Sequence, residues 1–482
     1  MFSQGTWIEQ QSAGSSEMSF LAERAGALLC IAGPSFHLAR SPLYHSPPLV
    51  IPVLPQELIV RILKHLVQVD DNQRVKNLKA CSLVCSKWLP LARWHLFHTT
   101  VVVDGHRVRN FGAFMEVIRH SPGVCYCIQV LSLQADRVLS GPGTPISAAI
   151  IQEFLGRLPR LSTLEISGLR FEAFPLPIPR VVGPFTLSRL RIMNQRSWTS
   201  NGGDLLDVLG LFTELGELTL ENLGELKDSV CTDGGYGSRF TEDMLSSLHT
   251  SSPCAIKELN LYSVSQLHFY LEVFKRTRSV ETIRSLAVRC GHPVQIPGFA
   301  RDLGSFFAEA GMGITQLSIE LSGCFHNRLH AHVADDCNKI FNLLLPGLPH
   351  LSSLRTFGLL ILFPHDPAIP GLMWSLLVAI LSALPPNVRR IQLCLQLDMY
   401  SRRPDHMAPF PWDSPWLAPQ LHWGDLRRVL SRFGRLEVIR FTKSSSDKSK
   451  QTISEPDELE KARISQYLPE LRNRKALLFD NC

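Results

Sequence analysis

Residues 267–288 read LHFYLEVFKRTRSVETIRSLAV. The opening ten residues, Leu267–Arg276, have the apolar spacing of an amphipathic helix. The closing six place Ile283, Leu286 and Val288 in an apolar-x-x-apolar-x-apolar pattern. That alternation suits a short strand with one buried side. A helix followed by such a strand is one α/β unit, too small to bury its own apolar surface and therefore built to stack.

The strand pattern recurs outward in both directions. Before this stretch it appears as Ile128/Leu131/Leu133, Leu161/Leu164/Ile166, Leu187/Leu190/Ile192, Leu215/Leu218/Leu220 and Ile256/Leu259/Leu261. After it come Ile314/Leu317/Ile319, Leu354/Phe357/Leu359, Val388/Ile391/Leu393 and Leu436/Ile439/Phe441. The middle residues are 33, 26, 28, 41, 27, 31, 40, 34 and 48 positions apart, mostly longer than a tight leucine-rich period of about 20–29. Ile146–Leu158, Gly203–Phe212, Leu303–Ala310, Lys339–Leu345, Leu372–Leu384 and Gly424–Phe433 also read as helices preceding windows. Right-handed crossovers between such units lay strands parallel with helices outside. Leu131, Leu164, Leu190, Leu218, Leu259, Leu286, Leu317 and Ile391 are therefore expected in the core. The windows resemble those of irregular leucine-rich-repeat domains, which implies a curved α/β solenoid over residues 101–482. The Asn or Cys of the usual repeat is mostly missing. An α/β domain with a layered sheet is the alternative.

Residues 54–97 have a different character. Pro55 suits a first helical turn, where its missing N–H costs nothing. Glu57 lies near the positive end of the helix dipole. Leu58, Ile62 and Leu66 recur every four residues, and Ile59 and Leu63 widen the stripe. Polar residues from Gln68 to Asn72 end this helix. A second helix carries Leu78, Cys81, Cys85 and Trp88 on one face, Pro90 interrupts, and Leu91–Phe97 forms a third. Helices apolar over more than one stripe need an outside partner.

Leu54-Pro55-x-Glu57-Leu58, Ile62-Leu63, Leu66 and Cys81-Ser82-Leu83-Val84-Cys85-x-x-Trp88 together resemble an F-box. The continuation Leu91-Ala92-Arg93-x-x-Leu96-Phe97 is similar to F-box proteins abundant in fungi. The resemblance covers about fifty residues. With a Gln/Ser/Gly-rich opening and four prolines in Ser41–Pro52, it sets three expected regions: a mostly disordered amino-terminal arm (1–50), an F-box (51–98) and the repeat region (101–482). The expected fold class is α/β, a short helical F-box followed by an irregular leucine-rich-repeat-like solenoid.

The resemblance further implies docking onto the Skp-type adaptor of a cullin ubiquitin ligase. Its groove-filling residues would be Leu54, Pro55, Leu58, Ile62, Leu66, Leu83, Val84 and Trp88. A protein substrate would then meet the repeat region. Because side chains alternate along a strand, Glu165, Arg191, Glu221, Tyr262, Arg289, Glu320, Gln392 and Arg440 are expected to point out of the inner sheet face. Their mixed signs suit a protein partner rather than a polyanion.

Composition narrows the remaining classes. The chain has 482 residues, too many for one ordinary compact domain, with 45% hydrophobic and 19% charged residues. The net charge of +6 is spread along the length with no basic run of five, so no nucleic-acid partner is expected. No apolar stretch reaches the roughly 18 residues of a membrane helix. The twelve cysteines are scattered, apart from Cys81/Cys85 and Cys125/Cys127, which is no disulfide framework. None of the thirteen asparagines opens a glycosylation sequon, and no basic region suggesting a signal peptide opens the chain. A cytoplasmic or nuclear location is expected. Met18 is an alternative start.

Signs of chemistry are sparse. No P-loop, nucleophile-elbow or His-Glu-x-x-His motif occurs. Gly234-Gly235-Tyr236-Gly237 lacks dinucleotide-binding spacing and reads as a loop. Cys324, His326, His330, His332, Asp335, Asp336 and Cys337 are dense in zinc-ligand types, but their steps match no common finger. No metal and no cofactor are expected. Cys125-x-Cys127 reads as small core residues. Pro404–Trp423, with three tryptophans, is either a partner-binding loop or one packed back on the last repeat. Lys443–Lys450 reads as a mobile surface loop. Three functions fit: a ligase substrate adaptor, a leucine-rich-repeat scaffold unrelated to ubiquitination, and an enzyme of unrecognised type. The absence of motifs favours a non-enzyme.

Overall fold

The computed structural model describes residues 54–67, 71–84, 87–104, 110–135, 145–171, 185–194, 203–223, 254–264, 267–290, 296–321, 330–363, 370–397, 421–444, 453–454, 458–473 and 476–478. The chain divides into two compact units, Met1–Ile128 and Gln129–Cys482. Residues 101–128, expected within the repeats, thus belong to the first. The expectations for the arm 1–50, the Gly234–Gly237 cluster and residues 404–420 lie outside the described residues.

The first unit opens with α1 (Gln56–Val67), α2 (Asp71–Val84) and α3 (Trp88–Phe97). The three helices pack on one another around Ile59, Leu63 and Leu78. Burying each of these side chains contributes about 1.5–3 kcal/mol. Cys81, Trp88, Leu91 and Leu96 pack against this cluster. Pro90 does not separate helices as the sequence suggested. The break comes earlier, and α3 begins at Trp88 with Lys87 as its N-cap. Pro90 then falls in the first turn, whose N–H groups have no helical acceptor anyway. Strand β1 (Thr99–Asp104) and helix α4 (Phe111–His120) follow. Asn110 caps α4 by accepting from the Ala113 N–H at 2.8 Å. Cys125 is buried, its thiol donating to the Ile118 carbonyl at 3.2 Å.

The second unit is mixed α/β around a large, open, mostly parallel sheet. Its main strands are β2 (Val130–Ala135), β3 (Thr163–Ser167), β4 (Phe185–Met193), β5 (Phe212–Glu221) and β6 (Ala255–Tyr262). They continue as β7 (Ser285–Arg289), β8 (Gln316–Glu320), β9 (Thr356–Phe363), β10 (Arg390–Leu397) and β11 (Val438–Ser444). Every repeat window holds one of them. Spatial order follows chain order, each strand parallel to the next. Beyond β11 the sheet gains Leu477–Leu478, parallel, and Ile453–Ser454, antiparallel. Lys443 and Ser444, expected in a loop, instead pair in that antiparallel ladder.

Register produces two apolar ladders. Leu131, Leu164, Leu190, Leu218, Leu259, Leu286, Leu317, Phe357, Ile391 and Ile439 occupy successive paired positions. Each is at most 2% exposed. The residues two positions later, Leu133 through Phe441, repeat the arrangement and are equally buried. Helices cover this face: α5 (Ala148–Arg157), α6 (Gly203–Leu209), α7 (Leu267–Arg276), α8 (Ile296–Ala310), α9 (His330–Leu343), α10 (Pro370–Ala383) and α11 (Trp423–Ser431). From α7 to α11 each packs on its successor. α10 is apolar nearly all round because it is buried on several sides: Met373, Trp374, Leu376, Leu377, Ile380 and Leu381 are all at most 1% exposed. Among the described residues no helix is long and apolar enough to cross a membrane.

Candidate functional site

In the first unit, the two stripes of α1 separate. Ile59 and Leu63 turn inward, while Leu58 and Ile62 remain 43% and 38% exposed. Leu54, just before the helix, is 42% exposed, and Leu83 and Val84 at the end of α2 are 69% and 63% exposed. These five make up most of the eight exposed large hydrophobic side chains among the described residues. Pro55 is exposed too, and its carbonyl accepts from the N–H groups of Leu58 and Ile59 at the start of α1. Leu66 and Trp88 differ from the other candidates: both are half-buried against the internal cluster. They support the exposed residues rather than standing free.

In the second unit, the sheet face opposite the helices carries the other candidates, all of them half-buried. Glu165, Arg191, Glu221, Tyr262, Arg289, Glu320, Gln392 and Arg440 all alternate with the buried ladders. Register places them in two rows. Glu165 pairs with Arg191, whose partner on the next strand is Thr219 rather than Glu221. That row continues through Asn260, Ala287, Ser318 and Gly358 to Gln392 and Arg440. Glu221, Tyr262, Arg289 and Glu320 stand together in the adjacent row. The candidates on β5–β8 lie two register positions further along than those on the other strands, and a two-residue step keeps the same face.

Several charges on this face pair with one another. Arg191 bonds Glu221 at 2.5 Å, and Arg289 bonds Glu320 at 2.5 Å. The Arg289 guanidinium also lies 5.0 Å over the Tyr262 ring. Burial raises the pKa of that tyrosine, Arg289 opposing it. A third pair, Arg189–Glu217 at 2.7 Å, was not among the expected residues. Glu217 accepts further from Thr219 Oγ1 and Asn260 Nδ2, both at 3.0 Å. Reading the strand row one step earlier would have found it. The result is a polar, internally paired surface, suited to shape and hydrogen bonding rather than to one sign of charge.

The metal-like cluster does not assemble among the described residues, where no three His, Cys, Asp or Glu side chains stand ready to hold an ion. Cys324 and His326 lie outside the described residues. Cys337 is buried on α9, its thiol pushed up to about 12 by burial and by Asp336. Lys339 pairs with Asp335 at 2.5 Å. Trp423 is a packing residue, 7% exposed, edge-on to Trp374 and stacked on Tyr467. No protein-family model and no curated protein matches this chain.

Proposed function

We propose that this chain is the substrate-recognition subunit of a Skp–cullin–F-box ubiquitin ligase. The reading rests on one observation above the rest: Leu54, Leu58, Ile62, Leu83 and Val84 stay exposed on helices whose inward stripe already fills a core. Exposed apolar side chains concentrated in so short a stretch mark a docking surface. Their order along the chain resembles the F-box motif, which supplies the partner, a Skp-type adaptor and through it a cullin. The stacked α/β unit presents a protein substrate, leucine-rich-repeat fashion, on the sheet face opposite its helices. The chain performs no chemistry itself and needs no cofactor, and its place is the cytoplasm or nucleus, where such ligases act.

Co-expression with a Skp-type adaptor tests this. The full-length chain should co-purify with the adaptor. Central apolar anchors carry about 2 kcal/mol or more each, so Leu54→Ala with Pro55→Ala should abolish capture while leaving residues 101–482 folded. Undiminished capture by that variant sinks the reading. Failure of the unaltered chain to bind would favour a scaffold outside ubiquitination.

A further inference from the structure

The edge where the strands begin carries a feature that the docking residues do not explain. One step before β7, β8, β9, β10 and β11 stand Arg284, Thr315, Arg355, Arg389 and Glu437. Their backbones are joined in sequence by N–H to carbonyl bonds of 2.8 Å. They therefore form a row at the strand spacing of about 4.8 Å. The five segments leading into these strands, 277–285, 311–316, 351–356, 384–390 and 432–438, hold seven arginines, two glutamates, and no lysine or aspartate. Glu437 engages Arg389 at 3.2 Å and Arg390 at 3.8 Å. Arg284 donates to the Gly313 carbonyl at 3.2 Å. Arg355 is exposed and has no side-chain partner among the described residues.

In the middle of this edge, between the segments bearing Arg284 and Arg355, lies Met312. It is 75% exposed, more than any other large hydrophobic side chain described. Its neighbours Gly311 and Gly313 offer no side chain to cover it.

We infer that this edge binds an extended acidic segment of a protein, with an apolar residue seated on Met312. Arginine forks match carboxylates or phosphate esters in two-point hydrogen bonds, which lysine does not. From Arg284 to Arg389 the row spans about three strand steps, close to 14 Å, the length of about four extended residues. A single-stranded nucleic acid fits less well, because base stacking needs open aromatic faces. The single aromatic residue in these segments is Phe433, which is 1% exposed. The inference stands apart from the adaptor reading, since it uses none of residues 54–97.

The test is a fluorescence-anisotropy titration of the full-length protein. Three probes are used: a labelled peptide alternating Asp/Glu with Leu, its Asn/Gln counterpart, and a single-stranded oligonucleotide of equal charge. The acidic peptide should bind and weaken as salt is raised, and the Asn/Gln peptide should not bind. Arg284→Gln with Arg355→Gln and Arg389→Gln should weaken binding about tenfold or more, and Met312→Gln about threefold. If the triple variant misfolds, Arg355→Gln alone decides, because it breaks no side-chain contact described. Equal binding of the uncharged peptide, or full affinity in Arg355→Gln and the triple variant, overturns the inference. So does tighter binding of the oligonucleotide with no response to Met312→Gln.

Discussion

Arg289 and Glu320 occupy paired register positions on β7 and β8, and Arg289 Nε donates to Glu320 Oε2 at 2.5 Å. Neither is fully exposed: the side chains retain 33% and 18% of their accessible surface. Removing one partner leaves the other partly desolvated. Arg289→Ala should cost about 1 kcal/mol, and the pair should show a coupling of about 0.5–1 kcal/mol in a double-mutant cycle. Denaturant unfolding of the four proteins measures it. The exchange Arg289→Glu with Glu320→Arg restores a pair while inverting the pattern a partner meets. Substrate capture that falls in the exchange variant, with stability kept, would place recognition on this face.

The two stripes of α1 should respond oppositely. Leu63 is fully buried and Leu58 is 43% exposed. Leu63→Ala should destabilise the first unit by about 2–4 kcal/mol through lost burial and a cavity. Leu58→Asp should change stability by no more than about 0.5 kcal/mol. Thermal unfolding of both variants separates the roles. Equal destabilisation would mean that Leu58 packs inside and that the outward stripe has been misassigned.

Much of the stack was legible because one signal repeats. Each window announces its strand by apolar spacing alone; all ten strands appear, and a described helix overlaps each of the seven expected before them. What stayed hidden depends on relations between distant segments. The helix expected at Leu303–Ala310 begins at Ile296, with Pro297 and Gly298 in its first turn, where proline is tolerated. The split of the charged residues into two rows is a matter of register, which no single strand reveals. The separation of Leu58 from Ile59 depends on where α2 and α3 sit. The edge arginines are scattered over more than a hundred residues, and only strand pairing gathers them.

A recurring turn also escaped the sequence reading. Gly168, Asn194, Asn222 and Ser263 each directly follow a strand and have φ between 50° and 68°. The N–H groups of Asn194, Asn222 and Ser263 donate to the last residue of the next strand over, at 2.9–3.0 Å. Asn222 also donates from Nδ2 to Asn194 Oδ1 at 3.2 Å. Asparagine and glycine tolerate left-handed backbone, other residues poorly. Asn222→Ala should therefore cost about 1–2 kcal/mol, and Asn222→Gly less. Equal losses in chemical denaturation would show that the side-chain bond, not the backbone, dominates.

Thiol reactivity should follow burial. The thiol of Cys254 is pushed up to about 12 by burial and by Glu214, and that of Cys337 up to about 12 by burial and by Asp336. Thiolate is the reactive form, so at pH 8 neither should alkylate in the folded protein. Cys127 is only half-buried and should label well before them. Peptide mass spectrometry after brief iodoacetamide treatment reads the order. Early labelling of Cys337 would mean that α9 opens locally.

Backbones come close where α8 meets the end of α9 and the short helical stretch Leu345–His350. A side chain added at Gly304 would place its Cβ 2.0 Å from the Leu343 carbonyl oxygen, and one at Gly347 would lie 2.4 Å from the Gly304 carbonyl oxygen. Both obstacles are backbone, so no side chain can swing aside. Glycine within a helix ordinarily costs about 0.5–1 kcal/mol relative to alanine, and on propensity alone Gly304→Ala would stabilise. The contact geometry predicts the reverse: about 2–3 kcal/mol of destabilisation as α8 is forced off its neighbour. Gly156 provides the control. It lies on α5 with nothing within 4 Å of its added Cβ, so Gly156→Ala should be neutral or stabilising. Denaturant midpoints for the two alanine variants should move in opposite directions. A stabilised Gly304→Ala would show that α8 and the following turn do not approach as closely as described.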